Sequence, residues 1–276
     1  MEASTSRRSR AENDRGDDRA DDEKQRRRSE KRFHLVRHGL THMNAYLSKN
    51  PYGGSGFRDP LDFDTRLTPR GVEQARSLSR KTAELLNDSS SSSSSSSFAV
   101  VVSPLTRALQ TATLAFPSLV DESSRRRRNG KNEATKTIMT SLSLARERVW
   151  LSSDVGRPRS SLAREFPHVC FADLPACDSP WWHGGHEAAR GKVELEPSKV
   201  FEKRVAELRE ALLSRPERDV ALVSHAGVLE VLTGGKVFGN CELVSLTGDE
   251  LMRVDIAGGG EEGEEEGEEE GGGFVF

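Results

Sequence analysis

Short apolar runs alternate along the chain with stretches whose apolar residues recur every three or four positions. Phe33-His34-Leu35-Val36 and Phe98-Ala99-Val100-Val101-Val102 have the length and composition of buried strands, stopped by Arg37-His38-Gly39 and Ser103-Pro104 respectively. Residues 219–223 form a third such run, ending at Ser224-His225-Ala226-Gly227, and residues 251–256 are expected as a last strand. Between these runs Pro69 opens a helix with Thr68 as its N-cap, and Val72, Ala75, Leu78, Thr82 and Leu85/Leu86 share one face of it. Ser103 is expected to cap, and Pro104 to open, a helix carrying Leu105, Ala108, Leu109 and Ala112. Ser198 is read the same way before Phe201, Val205, Leu208 and Leu212, and residues 228–234 read as helix. Residues 39–66 read as a polar loop. Strand and helix in alternation predict an α/β fold, a three-layer α/β/α sandwich with a mostly parallel central sheet.

Composition sets the limits of that domain. Residues 1–32 are dense in Arg, Asp, Glu and Ser, and residues 258–276 are rich in Glu and Gly. Neither segment buries enough apolar surface to offset the entropy of ordering, so both are expected to be disordered. The expected domain runs from residue 33 to 257, with flexible insertions near 88–97, mostly serine, and 121–137, which is polar and basic.

A formal net charge of −3 gives no global pull toward nucleic acid or an anionic membrane. Basic clusters at residues 26–28 and 125–128 leave a nuclear address open, although such runs are more often solvated arms. No apolar stretch approaches the ~20 residues of a membrane span, and the N-terminus carries no apolar signal core. The three cysteines, Cys170, Cys177 and Cys241, are odd in number and lack CxxC spacing, which fits a reducing compartment. A cytoplasmic protein is expected.

The chemistry lies at the strand ends. In a parallel sheet, residues just beyond several strands share one edge, where ligands bind. Arg37/His38, Ser103/Arg107 and His225 all fall there. Two arginines and two histidines around one point suit a dianionic phosphate, and Arg107 on the first turn of a helix adds a favourable dipole.

The ordered set His34-Leu35-Val36-Arg37-His38-Gly39, Leu67-Thr68-Pro69-Arg70-Gly71-Val72-Glu73-Gln74-Ala75, Ser103-Pro104-Leu105-Thr106-Arg107-Ala108-Leu109-Gln110-Thr111-Ala112 and Val223-Ser224-His225-Ala226-Gly227 resembles the histidine phosphatase superfamily, with its phosphoglycerate mutase-like fold. The resemblance spans about residues 33–247. It implies that His38 is a nucleophile forming a phosphohistidine. Arg37, Arg107 and His225 would hold the phosphoryl oxygens, and Asn44 would be a further pocket residue. For the general acid/base the resemblance points to Glu147, since Ala226 stands where another branch has an aspartate. Asp154-Val155-Gly156, Phe166-Pro167, Phe171 and Trp181-Trp182 are similar to an extended fungal, plant and protist subgroup, in which this segment is expected to roof the pocket. Leu40 and Met43 depart from residues the family often carries.

The expected function is therefore phosphomonoester hydrolysis of a small phosphorylated substrate, with no metal or other cofactor. A phosphoglycerate mutase-type transfer and a non-catalytic phospho-ligand-binding module are the alternatives. His183 and His186 near Cys170 and Cys177 invite a zinc reading, but their spacing fits no common site. The sequence leaves substrate and oligomeric state open.

Overall fold

The computed structural model describes residues 22–23, 25–90, 98–121 and 139–256. Its sheet contains β1 (Arg32–Arg37), β2 (Phe98–Val102), β3 (Met139–Ser141), β4 (Asp219–Ser224) and β5 (Leu243–Thr247), in the order β3-β2-β4-β1-β5. β4 pairs in parallel with β1 on one side and β2 on the other, β3 extends the sheet in parallel beyond β2, and β5 closes the far edge antiparallel to β1.

Alternate side chains of the central strands serve two separate cores. Val36, Val100, Val102, Ala221 and Val223 face one core with Leu105, Leu109 and Phe116. Phe33, Leu35, Val101, Val220 and Leu222 face the other with Phe201, Val205, Leu208 and Leu212. A sheet buried on both faces explains why its strands read as nearly unbroken apolar runs, and it makes the molecule the expected three-layer α/β/α sandwich.

The helices are α1 (His42–Leu47), α2 (Pro69–Ser77), α3 (Ser79–Ser90), α4 (Thr106–Ala115), α5 (Arg159–Glu165), α6 (Gly185–Ala189), α7 (Ser198–Leu213), α8 (Ala226–Leu232) and α9 (Gly248–Met252). Thr68 caps α2 through the Gly71 amide, with Pro69 in the first turn, as its sequence predicts.

Several expectations are corrected. Residues 251–256 are not a strand. Thr247 and Glu250 form a capping box that starts α9, and the last strand is β5 just before it. The 39–66 segment contains α1, started by a second reciprocal cap between Thr41 and Asn44. Leu105 rather than Ser103 occupies the cap of α4, and Pro197 rather than Ser198 that of α7. Order also reaches back past residue 33. Residues 25–29 are helical, Arg28 pairs with Glu210 at 3.0 Å, and the buried Lys31 ammonium donates to the Arg215 and Glu217 carbonyls. Charged residues order here because they find partners on the domain. The remainder of the arm, the tail from residue 257, and most of the two expected insertions lie outside the described residues.

Candidate active site

The register of the sheet brings the predicted residues to one edge. Arg37 pairs with Ser224 and Val102 with Val223, so β1, β2 and β4 end side by side. The His38 amide donates to the Ser224 carbonyl and the Ser103 amide to the Val223 carbonyl, both at 3.0 Å. Gly39 lets the chain turn away against α2. A Cβ on Gly39 would sit 2.6 Å from the Gly71 carbonyl oxygen, so only glycine fits this approach.

His38 and His225 lie with ring centroids 5.1 Å apart. His38 Nδ1 is 2.8 Å from the Gly39 carbonyl oxygen, so Nδ1 carries the proton and Nε2 is left with its lone pair. Burial, followed by the charges of Arg107 and Arg37, holds the His38 imidazole well below its ordinary pKa and keeps it neutral. His225 is held down in the same way, by burial and Arg107 foremost. Its Nδ1 accepts from Arg107 Nε at 3.2 Å, and its Nε2 donates to Ser103 Oγ at 2.7 Å.

Arg107 is fixed from three directions. Besides His225, its guanidinium donates to the Ser153 carbonyl at 2.6 Å and to Asp154 Oδ1 at 2.7 Å. Arg37 donates to the Phe238 carbonyl at 2.6 Å, and its buried Nε has no protein acceptor among the described residues. Leaving a buried donor unpaired is costly, and an anion at this point would satisfy it.

Glu147 follows β3 on the same edge. Its Oε1 accepts from the Arg148 amide at 3.0 Å and its Oε2 from the Gly227 amide at 3.2 Å. A Cβ on Gly227 would stand 2.8 Å from Oε1, so glycine at this position admits the carboxylate. Burial, and then the Asp154 charge, raise the Glu147 pKa from its ordinary value. Neighbouring Arg146 and Arg148 do not pair with this side chain. Arg146 meets Glu196 through two bonds of 2.6 and 2.7 Å, and Arg204 meets Glu196 at 3.0 and 3.2 Å. Arg204 also donates to the Leu144 and Arg146 carbonyls at 2.8 Å, and Arg148 Nε donates to the Glu196 carbonyl at 2.6 Å. This buried ion cluster clamps the backbone that carries Glu147.

A cavity of about 600 Å³ opens over these groups, with Arg37, His38, Arg107, Glu147 and Asn44 all on its wall. Asn44 spends its Oδ1 on the Thr41 amide at 3.3 Å while lining the cavity. His225, expected to hold phosphoryl oxygens directly, has both ring nitrogens bonded within the protein, Nδ1 to Arg107 and Nε2 to Ser103, and is not among the residues that line the cavity. Asp154 is a site residue that sequence reasoning placed only in a roof segment. The bond to Arg107 that gives it a role is made only in the fold. Of that segment, Trp150, Leu151, Ser153 and Asp154 reach the cavity. Trp181 and Trp182 belong to the core and donate to the Arg157 and Gly185 carbonyls. All three cysteines are free, and among the described residues no three or more His, Cys, Asp or Glu side chains are grouped to hold a metal ion. Among those residues, no helix is long and apolar enough to cross a membrane.

Residues 33–128 match the profile of the histidine phosphatase superfamily (branch 1). The chain is 25% identical over 219 residues to a phosphoglycerate mutase-like protein of Arabidopsis thaliana, the alignment covering 73% of each. Among solved structures it is similar to a mycobacterial glucosyl-3-phosphoglycerate phosphatase, with 23% identity, coverage of 79% of this chain and 92% of that one, and a TM-score of 0.39. A phosphoglycerate mutase from Thermus thermophilus is 19% identical, with coverage of 78% and 92% and a TM-score of 0.36.

Proposed function

We propose that this chain, a member of the histidine phosphatase superfamily by the pattern of residues 33–128, is a phosphomonoester hydrolase working through a phosphohistidine on His38. The observation that carries the reading is the His38 ring. Its Nδ1 proton is held by the Gly39 carbonyl, and it lines one cavity with Arg37, Arg107 and Glu147. His38 Nε2 attacks phosphorus, the P–O bond to the alcohol breaks, and Glu147 gives its proton to the leaving oxygen. Water then attacks the phosphohistidine, Glu147 takes a proton from it, and the P–N bond breaks to release phosphate and neutral His38. Arg37 and Arg107 stabilise the charge on the transferring group, and His225 fixes the Arg107 fork. Asn44 is assigned to the pocket wall.

The test is trapping. Brief incubation with ³²P-labelled aryl phosphate and acid-free quenching should give an alkali-stable, acid-labile phosphoenzyme that His38→Ala lacks. Turnover and label retained in His38→Ala would overturn the mechanism. Return of the phosphoryl group to a sugar acid, as in a mutase, shares the same intermediate. It also needs a cation for the substrate carboxylate, and among the described residues Arg37 and Arg107 are the cavity's only cationic side chains.

A further inference from the structure

The cavity is divided by chemistry. Its two guanidinium groups lie at the strand ends, where Arg107 is already paired with Asp154. The wall further out is apolar: Met43, Leu47 and Leu151 form one packed cluster with Trp150 partly buried against it. Tyr52 stands edge-on to Trp150, with ring centroids 5.8 Å apart at 82°. Tyr52 and Val237 also line the cavity, although 46% and 57% exposed. Exposed apolar side chains on the rim of one ligand-sized cavity mark a contact surface rather than core. Among the described residues the remaining charged liner is Glu230, half-buried and one turn beyond Gly227, so any charge it lends is negative.

We infer that the alcohol portion of the substrate is an uncharged apolar group seated on Tyr52, Trp150 and the Met43–Leu47–Leu151 wall, and that sugar acids and bisphosphates are excluded. This rests on the phosphohydrolase reading above. A carboxylate or second phosphate entering the cavity would shed water beside Asp154 and Glu230, and among the described residues the wall offers no cation beyond Arg37 and Arg107, which the transferred phosphate occupies. An alkyl or aryl group would instead remove the rim's apolar surface from solvent.

The experiment compares kcat/KM of the full chain for methyl, butyl and hexyl phosphate, 3-phosphoglycerate and O-phosphoethanolamine, all alcohol leaving groups. Hexyl phosphate should exceed methyl phosphate by at least ~10-fold and 3-phosphoglycerate by at least ~30-fold. Val237→Arg and Glu230→Gln, both at accessible positions, should each narrow the hexyl-to-phosphoglycerate ratio by at least ~5-fold, with thermal melts checking that they fold. Preference for 3-phosphoglycerate or O-phosphoethanolamine, with a phosphoenzyme still trapped on His38, would overturn this inference and leave the hydrolase reading intact. Absence of a phosphoenzyme with every ester, the aryl phosphate included, would remove both.

Discussion

β1 carries a histidine near each end, and the two meet opposite fates. His34 lies at the end where the strand begins. Its Nδ1 is 2.8 Å from Ser245 Oγ, its Nε2 faces Asp219 Oδ1 at 3.7 Å, and its ring stacks on Phe98. Arg32 completes that group by donating to the same Asp219 carboxylate. His38 also has arginine and carboxylate neighbours and is just as buried, yet its Nε2 has no hydrogen-bond partner among the described residues and its ring lines a cavity. Residue type and burial are thus nearly the same at both ends. What differs is where the unmade bonds lie: the His34 cluster leaves Asp219 Oδ2 without a hydrogen-bond partner away from the cavity, whereas the His38 cluster leaves a lone pair on His38 and an unpaired Arg37 donor among the residues of the cavity wall. A site is recognised by unmade bonds that gather at a cavity.

The largest break in that comparison should come from His38→Ala, which removes the nucleophile and should lower kcat/KM for an aryl phosphate by at least ~10⁴-fold. Next comes Glu147→Gln, expected to cost ~10²–10⁴-fold. The pH profile carries the sign. His38 must be neutral, and its lowered pKa pushes the acid limb downward; Glu147 must be protonated, and its raised pKa extends activity upward before the alkaline limb sets in. Glu147→Gln should flatten that alkaline limb. A limb left unchanged would assign it to another group.

How much of this was legible in the sequence follows from what each residue contacts. β1, β2 and β4 are readable because strands buried on both faces must be apolar throughout, so their ends show within a residue or two. His38, Arg107 and His225 become visible as strand-end residues for that reason. β5 hides because it is an edge strand, half-exposed along its length, with no such run. Asp154 hides because its meaning lies in Arg107, 47 positions away, and only the fold pairs them. Tyr52, Trp150 and Val237 come from loops with no periodicity, so the cavity wall exists only in three dimensions.

A smaller effect is expected one layer behind Glu147. Glu196 is buried, and although burial opposes ionisation, bonds from Arg146 and Arg204 bring its pKa down to about 2. Its contribution to stability, on the order of 3 kcal/mol, is present above about pH 4.5 and lost as the pH falls toward 2. Glu196→Gln would leave Arg146 and Arg204 buried without their counter-charge, at about 3–5 kcal/mol of stability. Because these arginines hold the Leu144, Arg146 and Glu147 carbonyls, kcat should fall ~10-fold with KM nearly unchanged. A melting temperature that drops while kcat stays at wild type would limit the clamp to stability.

The smallest effect on turnover, and the sharpest test of the comparison, is His34→Ala. Asp219 is buried, and the Arg32 bond together with the nearby His34 and Ser89 side chains outweighs that cost and holds its pKa well below the usual carboxylate range. Its stabilisation is therefore present above the ordinary aspartate pKa and fades as the pH falls below it. Removing the imidazole takes a hydrogen-bond partner from Ser245 and a buried ring from between Phe98 and the Asp219 carboxylate, which should cost about 1–3 kcal/mol. Acid denaturation should then begin at higher pH, while kcat/KM stays within ~3-fold of wild type because His34 has no face on the cavity. A loss of turnover approaching that of His38→Ala, in a protein that still melts cooperatively, would mean that the two ends of β1 are not separable and that a place on the cavity wall does not distinguish a reactive histidine from a structural one.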